Sequence, residues 1–372
     1  MTVHRIEIDH SLPLAEEPET GHNRWHPAIA PVLSCSSEDE IVMGTRDALD
    51  SVIGPNSTAA DVANADLGIV HPLTGPVYIE DAEPGDMLEV EVVEVEPHGG
   101  FAYTIQAPGF GFLRDEFPEP YIVRWNIADG WATSNDIRGV RIPGVPFMGV
   151  MGVAPSPDLL TRVIAREAEL GDRNGLVMLP DSNGATPGVD PIASEGLRTI
   201  PPRENGGNMD AKQMSAGATV RFPVFVEGAL FSAGDAHFAQ GDGEACGTAI
   251  EMASTFTFRV RLHKGEAVAN NISDIHFTTR ERPHSQVAGK MRSHYATTGI
   301  CVDERGRQEP ENVTLAARNA LLNMIDHITR EHGFNRQQAY ALCSVAVDLK
   351  VSQLVDAPNV MVTAFLPMDI FL

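Results

Sequence analysis

The sequence predicts a mainly β fold with α+β elements, and two observations lead to that prediction. Glycine and proline are frequent, with 33 and 26 among 372 residues, which favours many turns and short strands. Residues 88–96 alternate apolar and Glu side chains, as a strand with one apolar face does. The alternation slips at Val92-Val93, and one extra residue in such a pattern indicates a β-bulge. Residues 255–262 predict a second strand, with apolar side chains on one face and two arginines on the other.

Three helices are predicted between these strands and the end of the chain. The first begins after Ser156, has proline at its first position and ends near Gly171. The second covers residues 314–332 and stops at the glycine that follows. The third begins at Asn335, where Gln338 completes a capping box.

The length of the chain exceeds one compact core of ordinary size, so we expect more than one domain. We predict an N-terminal β-rich domain (1–155), a central β-rich domain (156–312) and a C-terminal α/β segment (313–372) in which the helices give way to extended chain. Residues 181–212 are too rich in turn formers for regular structure. Loops this long inside a compact domain tend to be functional.

The composition limits the classes of partner. The chain is 43% apolar and 21% charged, as globular proteins are. A formal charge of −24 leaves no basic patch to neutralise phosphates, which argues against nucleic acid and against an anionic membrane surface. It fits a neutral or cationic small molecule and a bound cation, although such a charge also simply favours solubility.

The cysteines and the hydropathy indicate a cytoplasmic protein. The four cysteines lie far apart and form no Cys-x-x-Cys pair, which is typical of reduced thiols. The first residues lack the apolar region of a signal peptide, and no apolar stretch reaches the roughly 18 residues of a membrane span.

The densest group of chemically reactive residue types is Gly234–Gly247. Its fourteen residues hold four glycines, three carboxylates, a histidine, a glutamine and a cysteine. If the chain is extended there, Asp235 and His237 face the same side, and so do Asp242 and Glu244. We expect the segment at a sheet edge or in a bend. A cation would accept this set of ligands, whereas the alternative is a Gly-Asp turn with solvated acids.

Two earlier segments could add ligands. Asp47 lies in Thr45–Ala48, directly after the short apolar stretch 41–43. His71 precedes a proline, which biases it towards an extended conformation. A single histidine is more often structural than functional, so that alternative stays open for His71.

Several segments together resemble the acetamidase/formamidase family over nearly the full chain. The long Gly-Asp-Ala-His-Phe-Ala-Gln-Gly-Asp-Gly-Glu segment is the most specific of them. The segments, in order, are Thr45–Ala48, His71–Val77, Glu83–Asp86, Gly152–Pro155, Gly206–Asp210, Gly234–Glu244 and Ser344–Asp348. The resemblance implies a β-sandwich-like acetamidase/formamidase architecture and hydrolysis of small neutral amides to acid and ammonia. Some members of the family act on cyclic amides, the γ-lactams, so the substrate stays open.

Amide hydrolysis needs an activated nucleophile, a stabilised oxyanion and a proton for the amine, and metal-activated water supplies the first two. We expect a divalent metal, with zinc favoured and calcium as a structural alternative. The ligand candidates are Asp47, His71, Asp235 and His237. The catalytic candidates are Glu244 as general base and then acid, Asp242 as its substitute, and Asn208 as a hydrogen-bonding partner of the amide.

Two other interpretations stay open. Cys246 could be a thiol nucleophile, although the lysine that such carbon–nitrogen hydrolases use is absent nearby, the next one downstream being Lys264. A small buried thiol beside a turn is the plainer interpretation. From another class, the chain could be a non-catalytic metal-stabilised β-sandwich that binds ligands. The expected partners are a small neutral amide and further copies of the chain, in a dimer or larger homo-oligomer.

Overall fold

The computed structural model describes residues 1–279, 293–355 and 358–372, and β-strands dominate them. The mainly β fold predicted from the sequence is confirmed. The strands are β1 (Val3–Ile6), β2 (Gly21–His22), β3 (Arg24–Trp25), β4 (Leu33–Cys35), β5 (Glu40–Thr45), β6 (Leu73–Ile79), β7 (Met87–Pro97), β8 (Phe101–Gln106), β9 (Tyr121–Ala128), β10 (Trp131–Thr133), β11 (Arg141–Pro143), β12 (Phe147–Gly152), β13 (Leu197–Arg198), β14 (Gly206–Asn208), β15 (Thr219–Pro223), β16 (Phe231–His237), β17 (Glu251–Met252), β18 (Ser254–His263), β19 (His276–Thr278), β20 (His294–Ile300), β21 (Asp348–Gln353) and β22 (Met361–Pro367).

Helices are fewer and mostly lie in the connections and near the C-terminus. The α-helices are α1 (Ala59–Ala63), α2 (Pro157–Asp172), α3 (Ile192–Glu195), α4 (Glu266–Asn270), α5 (Val313–His332) and α6 (Arg336–Ala346). Short 3₁₀ helices cover Leu14–Glu16, Pro18–Thr20, Leu67–Ile69 and Met368–Ile370. Within the described ranges, no helix combines the length and the apolar character that crossing a membrane requires.

Two large sheets form the body of the described chain. One has six strands in the order β1-β5-β18-β7-β15-β19. The other has eleven strands, with the path β11-β10-β9-β8-β17-β16-β12-β14 and with β6 joining β2, β4 and β16. The sheets share one apolar core, in which the Phe231 ring of β16 lies 5.1 Å from the Phe258 ring of β18. Two facing sheets over a common core are the sandwich-like arrangement.

Strand pairing joins the first two predicted segments of the chain. In the six-stranded sheet, β7 pairs with both β15 and β18, which follow residue 155. In the eleven-stranded sheet, β12 and β6 flank β16. The division into three domains stays a prediction.

The β-bulge predicted at Val92-Val93, which lies in β7, is confirmed. Thr257 of β18 pairs with Glu94, whereas the next residue, Phe258, pairs with Val92. Val93 is therefore the extra residue on β7, as the slip in the alternation indicated.

The predicted helix ends agree with the structure to within one residue, and the second helix, α5, begins at Val313 rather than at residue 314. The Ser156 side chain accepts a hydrogen bond from the Leu159 N–H, and a full capping box forms between Asn335 and Gln338. The first helix, α2, continues one residue beyond Gly171 to Asp172. The expected stop was therefore wrong by one residue.

The C-terminal part has a sheet of its own. In it, β22 lies between β20 and β21, and α5 packs against β20 and β22. The extended end predicted after the last helix is β21.

The loop predicted at residues 181–212 contains some regular structure. It holds α3, β13 and β14, each four residues or shorter. Tertiary pairing explains the difference, because β13 pairs with β3 and β14 pairs with β12.

Candidate active site

The first half of the Gly/Asp-rich segment lies in the interior of the eleven-stranded sheet. Strand β16 carries Asp235 and His237 between β12, β6 and β17. The expected position at a sheet edge or in a bend was therefore wrong for these two residues. Asp235 has φ of 58°, so the chain is not regularly extended there. Even so, Asp235 Oδ1 lies 3.4 Å from His237 Nε2, and both side chains are buried.

Two neighbouring strands add a carboxylate and an imidazole. Glu251 of β17 pairs with His237, and its Oε2 lies 3.1 Å from His237 Nε2. On the opposite side, His71 stands just before β6, and its Nε2 lies 3.8 Å from Asp235 Oδ2. Side chains from both halves of the chain therefore meet around Asp235 and His237.

Two more carboxylates approach His237 from loops. Glu244 Oε1 lies 3.9 Å from His237 Nε2, and Asp210 Oδ1 lies 3.9 Å from His237 Nδ1. Gly149 of β12 makes room for Asp210 and for Asp235: an added Cβ would lie 2.6 Å from Asp235 Oδ2 and 2.7 Å from Asp210 Oδ1. Glycine at this position therefore lets two carboxylates approach the strand.

Four buried polar atoms at this centre lack a hydrogen-bond partner in the described structure. They are Asp210 Oδ1, Asp235 Oδ1, His237 Nε2 and Glu251 Oε2. A buried polar atom without a hydrogen bond costs about 1–3 kcal/mol, and a bound cation would satisfy the carboxylate oxygens and the imidazole nitrogen together. Two groups of side chains have ligand atoms within 4.8 Å of one another: Asp210, His237 and Glu244, and Asp235, His237 and Glu251. These residues could hold a metal ion.

Burial and mutual repulsion shift the pKa values of the carboxylates. Burial raises the pKa of Glu244 and that of Glu251 to about 8 each. Burial and the neighbouring Glu244 raise the pKa of Asp210 well above its usual range. Asp235 differs: burial acts to raise its pKa, but His71 and His237 hold it below the ordinary value. Such divergent environments are typical of catalytic centres.

The pKa of the His237 imidazole is set by burial and by the neighbouring carboxylates, which act in opposite directions. Burial by itself lowers the pKa of His237, but the carboxylates of Glu251 and Asp235 raise it well above 6.5. A positive charge is therefore stabilised at this point, whether it is carried by a proton or by a metal ion.

Two predicted site residues, Asp47 and Asp242, accept hydrogen bonds from groups outside the cluster around His237. The Asp47 carboxylate accepts hydrogen bonds from the Tyr103 hydroxyl at 2.7 Å and from the N–H groups of Leu49 and Ser51. The Asp242 carboxylate accepts from Gln213 Nε2 at 2.8 Å. Neither belongs to the two groups that could hold a metal.

The chain turns between Asp242 and Glu244. Gly243 has φ of 101° and Glu244 has φ of 40°, so the chain is not extended there. The extended chain on which their facing the same side depended is therefore absent at these residues, and the catalytic role given to Asp242 stays a prediction.

A small cavity of about 80 Å³ opens beside His71. Pockets for drug-sized ligands are about 300–1,000 Å³, so this one fits only a small molecule. Asn208 lines it, and its Oδ1 is buried without a hydrogen-bond partner in the described structure. The other lining residues are Ala48, Leu49, Leu67, Val70, Tyr103, Ile105, Ala107, Phe110, Ile200, Cys246, Gly247 and Thr248.

Similarity to known proteins covers nearly the whole chain. The sequence profile of the Acetamidase/Formamidase family matches residues 7–372. The chain belongs to this family. It is 37% identical to the acetamidase of Mycolicibacterium smegmatis, over 91% of this chain and 88% of that protein. It is 36% identical to the formamidase of Methylophilus methylotrophus, over 94% of this chain and 89% of that protein.

A solved structure has the same architecture as this member of the acetamidase/formamidase family. The gamma lactamase from Delftia acidovorans superposes with a TM-score of 0.92 at 34% identity, covering 99% of this chain and 93% of that one. Membership of the acetamidase/formamidase family makes the chain an amidase, a hydrolase of carbon–nitrogen bonds other than peptide bonds. The predicted amide hydrolysis is confirmed, and the alternative of a non-catalytic binding protein was wrong.

The thiol of this amidase is buried at the cavity wall. Cys246 Sγ lies 3.4 Å from the Ile105 main-chain oxygen, to which it donates, and the Cys246 N–H donates to Ser344 Oγ. Burial raises the pKa of Cys246 to about 11. The thiolate, which is the nucleophilic form, is therefore scarce at neutral pH.

Sequence reasoning missed Glu251 and gave Asp210 no role. Asp210 closes one of the segments that carry the family resemblance, which was a usable signal. Glu251 is the single carboxylate in the apolar stretch 249–253, and a lone charge on a buried strand was the signal there.

Proposed function

We propose that this amidase hydrolyses small neutral amides of the formamide and acetamide type to a carboxylic acid and ammonia, and that it uses a divalent metal at His237. The observation that supports this most strongly is a cluster of four partnerless buried polar atoms, one on that imidazole and three on the carboxylates around it. The names of the acetamidase and formamidase relatives support the substrate class.

Asp235, His237 and Glu251 form the proposed ligand set. Glu244 also approaches His237 at Nε2, whereas Asp210 approaches it at Nδ1. A mixed set of nitrogen and carboxylate oxygen donors suits zinc, whereas calcium prefers six to eight oxygens. His71 contacts Asp235 and is either a further ligand or its support. We leave Asp47 out of the set, because its oxygens already accept hydrogen bonds from one hydroxyl and two main-chain N–H groups.

A cation bound there would act as a Lewis acid and lower the pKa of a bound water. Glu244 then carries the protons: it takes one from the attacking water and returns it to the departing nitrogen. Burial favours this role, because it raises the pKa of Glu244 from its ordinary range towards neutrality, where one carboxyl group can both accept and donate a proton. The Glu244 side chain is 16% exposed and its Oε1 lies 3.9 Å from His237 Nε2, so it stands beside the proposed ligands and within reach of solvent.

Asn208 provides recognition of the amide. Its Oδ1 is a buried acceptor without a partner, and the –NH₂ group of a primary amide is a donor. The apolar cavity wall beside it accommodates a hydrogen atom or a short alkyl group. The carboxylate product has a negatively charged oxygen where the amide has its –NH₂ donor. The Asn208 oxygen therefore favours binding of the amide over binding of the product.

A γ-lactam is the second candidate substrate. The gamma lactamase from Delftia acidovorans shares this architecture at a TM-score of 0.92. A lactam offers one N–H donor instead of two, and its ring fills more of the cavity.

A substrate panel with metal removal tests the proposal. Formamide, acetamide and propionamide are assayed by ammonia release, and a γ-lactam by ring opening, each with native, chelated and zinc-restored protein. We expect turnover of the smallest amides, loss on chelation and recovery with Zn²⁺. Full activity in protein shown to be metal-free by elemental analysis would overturn the metal-dependent mechanism, and turnover of the lactam alone would overturn the substrate class.

A further inference from the structure

The side chain of Gln240 connects two members of the proposed metal site. It lies three residues after His237, is buried, and has both of its polar atoms engaged. Gln240 Oε1 lies 2.9 Å from His237 Nδ1. Gln240 Nε2 donates to the main-chain oxygen of Asp210 at 2.7 Å.

The orientation of the Gln240 amide follows from its second contact. The main-chain oxygen of Asp210 only accepts hydrogen bonds, so the –NH₂ end of Gln240 must face it. The opposite end, Oε1, then faces His237, and a carbonyl oxygen also only accepts. His237 Nδ1 must therefore carry a proton and donate it, since the reversed amide would place two acceptors together at Asp210.

A proton on Nδ1 leaves Nε2 as the nitrogen of His237 that can bind a cation. This is the atom that lies 3.1 Å from Glu251 and 3.4 Å from Asp235. The Phe147 ring meets the imidazole edge-on at 5.0 Å and restricts its tilt. The loop that carries Gln240 is held in turn, because the Gly241 N–H donates to the Ser344 main-chain oxygen at 2.8 Å.

We propose that Gln240 is a positioning residue for metal binding, which fixes His237 as an Nε2 ligand and holds the Asp210 loop against it. The inference rests on the proposed function, because it needs the metal to bind at His237. Outer contacts of this kind typically change metal affinity or activity by about 10–100-fold when they are removed.

The test compares zinc binding by the full-length wild type, Gln240→Met and Gln240→Glu. Methionine preserves length but removes both hydrogen bonds. Glutamate keeps an acceptor for His237 Nδ1 and loses the donor to Asp210. Gln106→Met is the matched control, because Gln106 is also buried and its Nε2 donates to the main-chain oxygen of Gln337 without contact to a proposed ligand. Zinc affinity is measured by competition with a chelating dye, and melting temperature reports folding.

We expect Gln240→Met to bind Zn²⁺ about 10–100-fold more weakly than wild type, and Gln106→Met to bind within about twofold of it. If Gln240 were purely structural, Gln240→Met and Gln240→Glu would both lower the melting temperature and both leave zinc affinity unchanged. That result would overturn the inference. In zinc-loaded wild type, long-range ¹H–¹⁵N spectra of the imidazole should show protonated Nδ1 and metal-bound Nε2, with the same pattern in Gln240→Glu.

A spectrum in which Nδ1 of wild-type His237 binds the metal would contradict the inference even if affinities changed, because Gln240 could not then accept from it. Failure of the proposed function would give a different experimental result. In that case wild type itself would not bind Zn²⁺ at His237, and its spectrum would be the same with and without zinc.

Discussion

His71 Nε2 and Asp235 Oδ2 lie 3.8 Å apart, although the two residues come from opposite halves of the chain. The pairing of β6 with β16 produces this contact, since Leu73 is opposite Gly234. The main-chain N–H of His71 also donates to Thr199 Oγ1, so the position of the residue does not depend on its imidazole alone.

His71→Ala should therefore disturb the site without unfolding the chain. We expect zinc content to fall and kcat/KM for acetamide to drop about 10–100-fold, because a support of the Asp235 carboxylate is lost. Ammonia release and elemental analysis measure the two effects. His98→Ala, at an exposed histidine, is the control. Activity within twofold of wild type would show that His71 has no part in the site.

Gly149→Ala should expel the metal by adding one methyl group. The new Cβ would lie less than 3.0 Å from carboxylate oxygens of Asp235 and Asp210, so at least one carboxylate must move. Zinc content of the purified variant should fall well below that of wild type. Gly54→Ala is the matched control, because nothing lies within 4 Å of its added Cβ. Equal zinc content in the two variants would contradict a metal site that includes Asp235.

Glu244→Gln should abolish proton transfer while preserving the fold. Loss of a general base and acid lowers kcat by about 10²–10⁴-fold. Metal content and melting temperature should stay close to those of wild type, and Glu94→Gln, at an exposed position of β7, serves as the control. If the variant instead loses its metal, Glu244 is a ligand. If it remains fully active, another group carries the proton.

The sequence predicted the centre of this site better than its boundary. Asp235, His237 and Glu244 stand within one dense segment, so local composition was enough to select them. Glu251 joins them only through the pairing of β16 with β17, and a register between strands cannot be read from one segment alone.

The direction in which a side chain points from a turn was the other feature that could not be predicted from the sequence. Asp47 lies in a short connection after β5, where N–H groups of the following residues take up its carboxylate oxygens. Nothing in the composition of that segment distinguishes an aspartate that binds its own turn from one that faces a cation. By contrast, the bulge at Val93 was predictable, because alternation along a strand directly records which face each side chain occupies.

Cys246 should be dispensable. The Cys246→Ala variant should retain activity on acetamide within a few-fold of wild type, because the thiol is buried and hydrogen-bonded to a main-chain oxygen. Its pKa of about 11 also sets the pH dependence of alkylation. The thiolate is the reactive form, so iodoacetamide should react slowly at pH 7 and about tenfold faster for each pH unit of rise below pH 11. Complete loss of activity in Cys246→Ala with an unchanged melting temperature would instead support a thiol mechanism.

Anomalous diffraction at the zinc edge, from crystals of protein whose amidase activity has been measured, tests the central claim most directly. We predict one strong peak about 2.0–2.1 Å from His237 Nε2, with carboxylate oxygens of Asp235 and Glu251 turned towards it. Active crystals with no anomalous peak at His237, or with a zinc ion bound only elsewhere, would contradict the assignment of this buried cluster as the metal site.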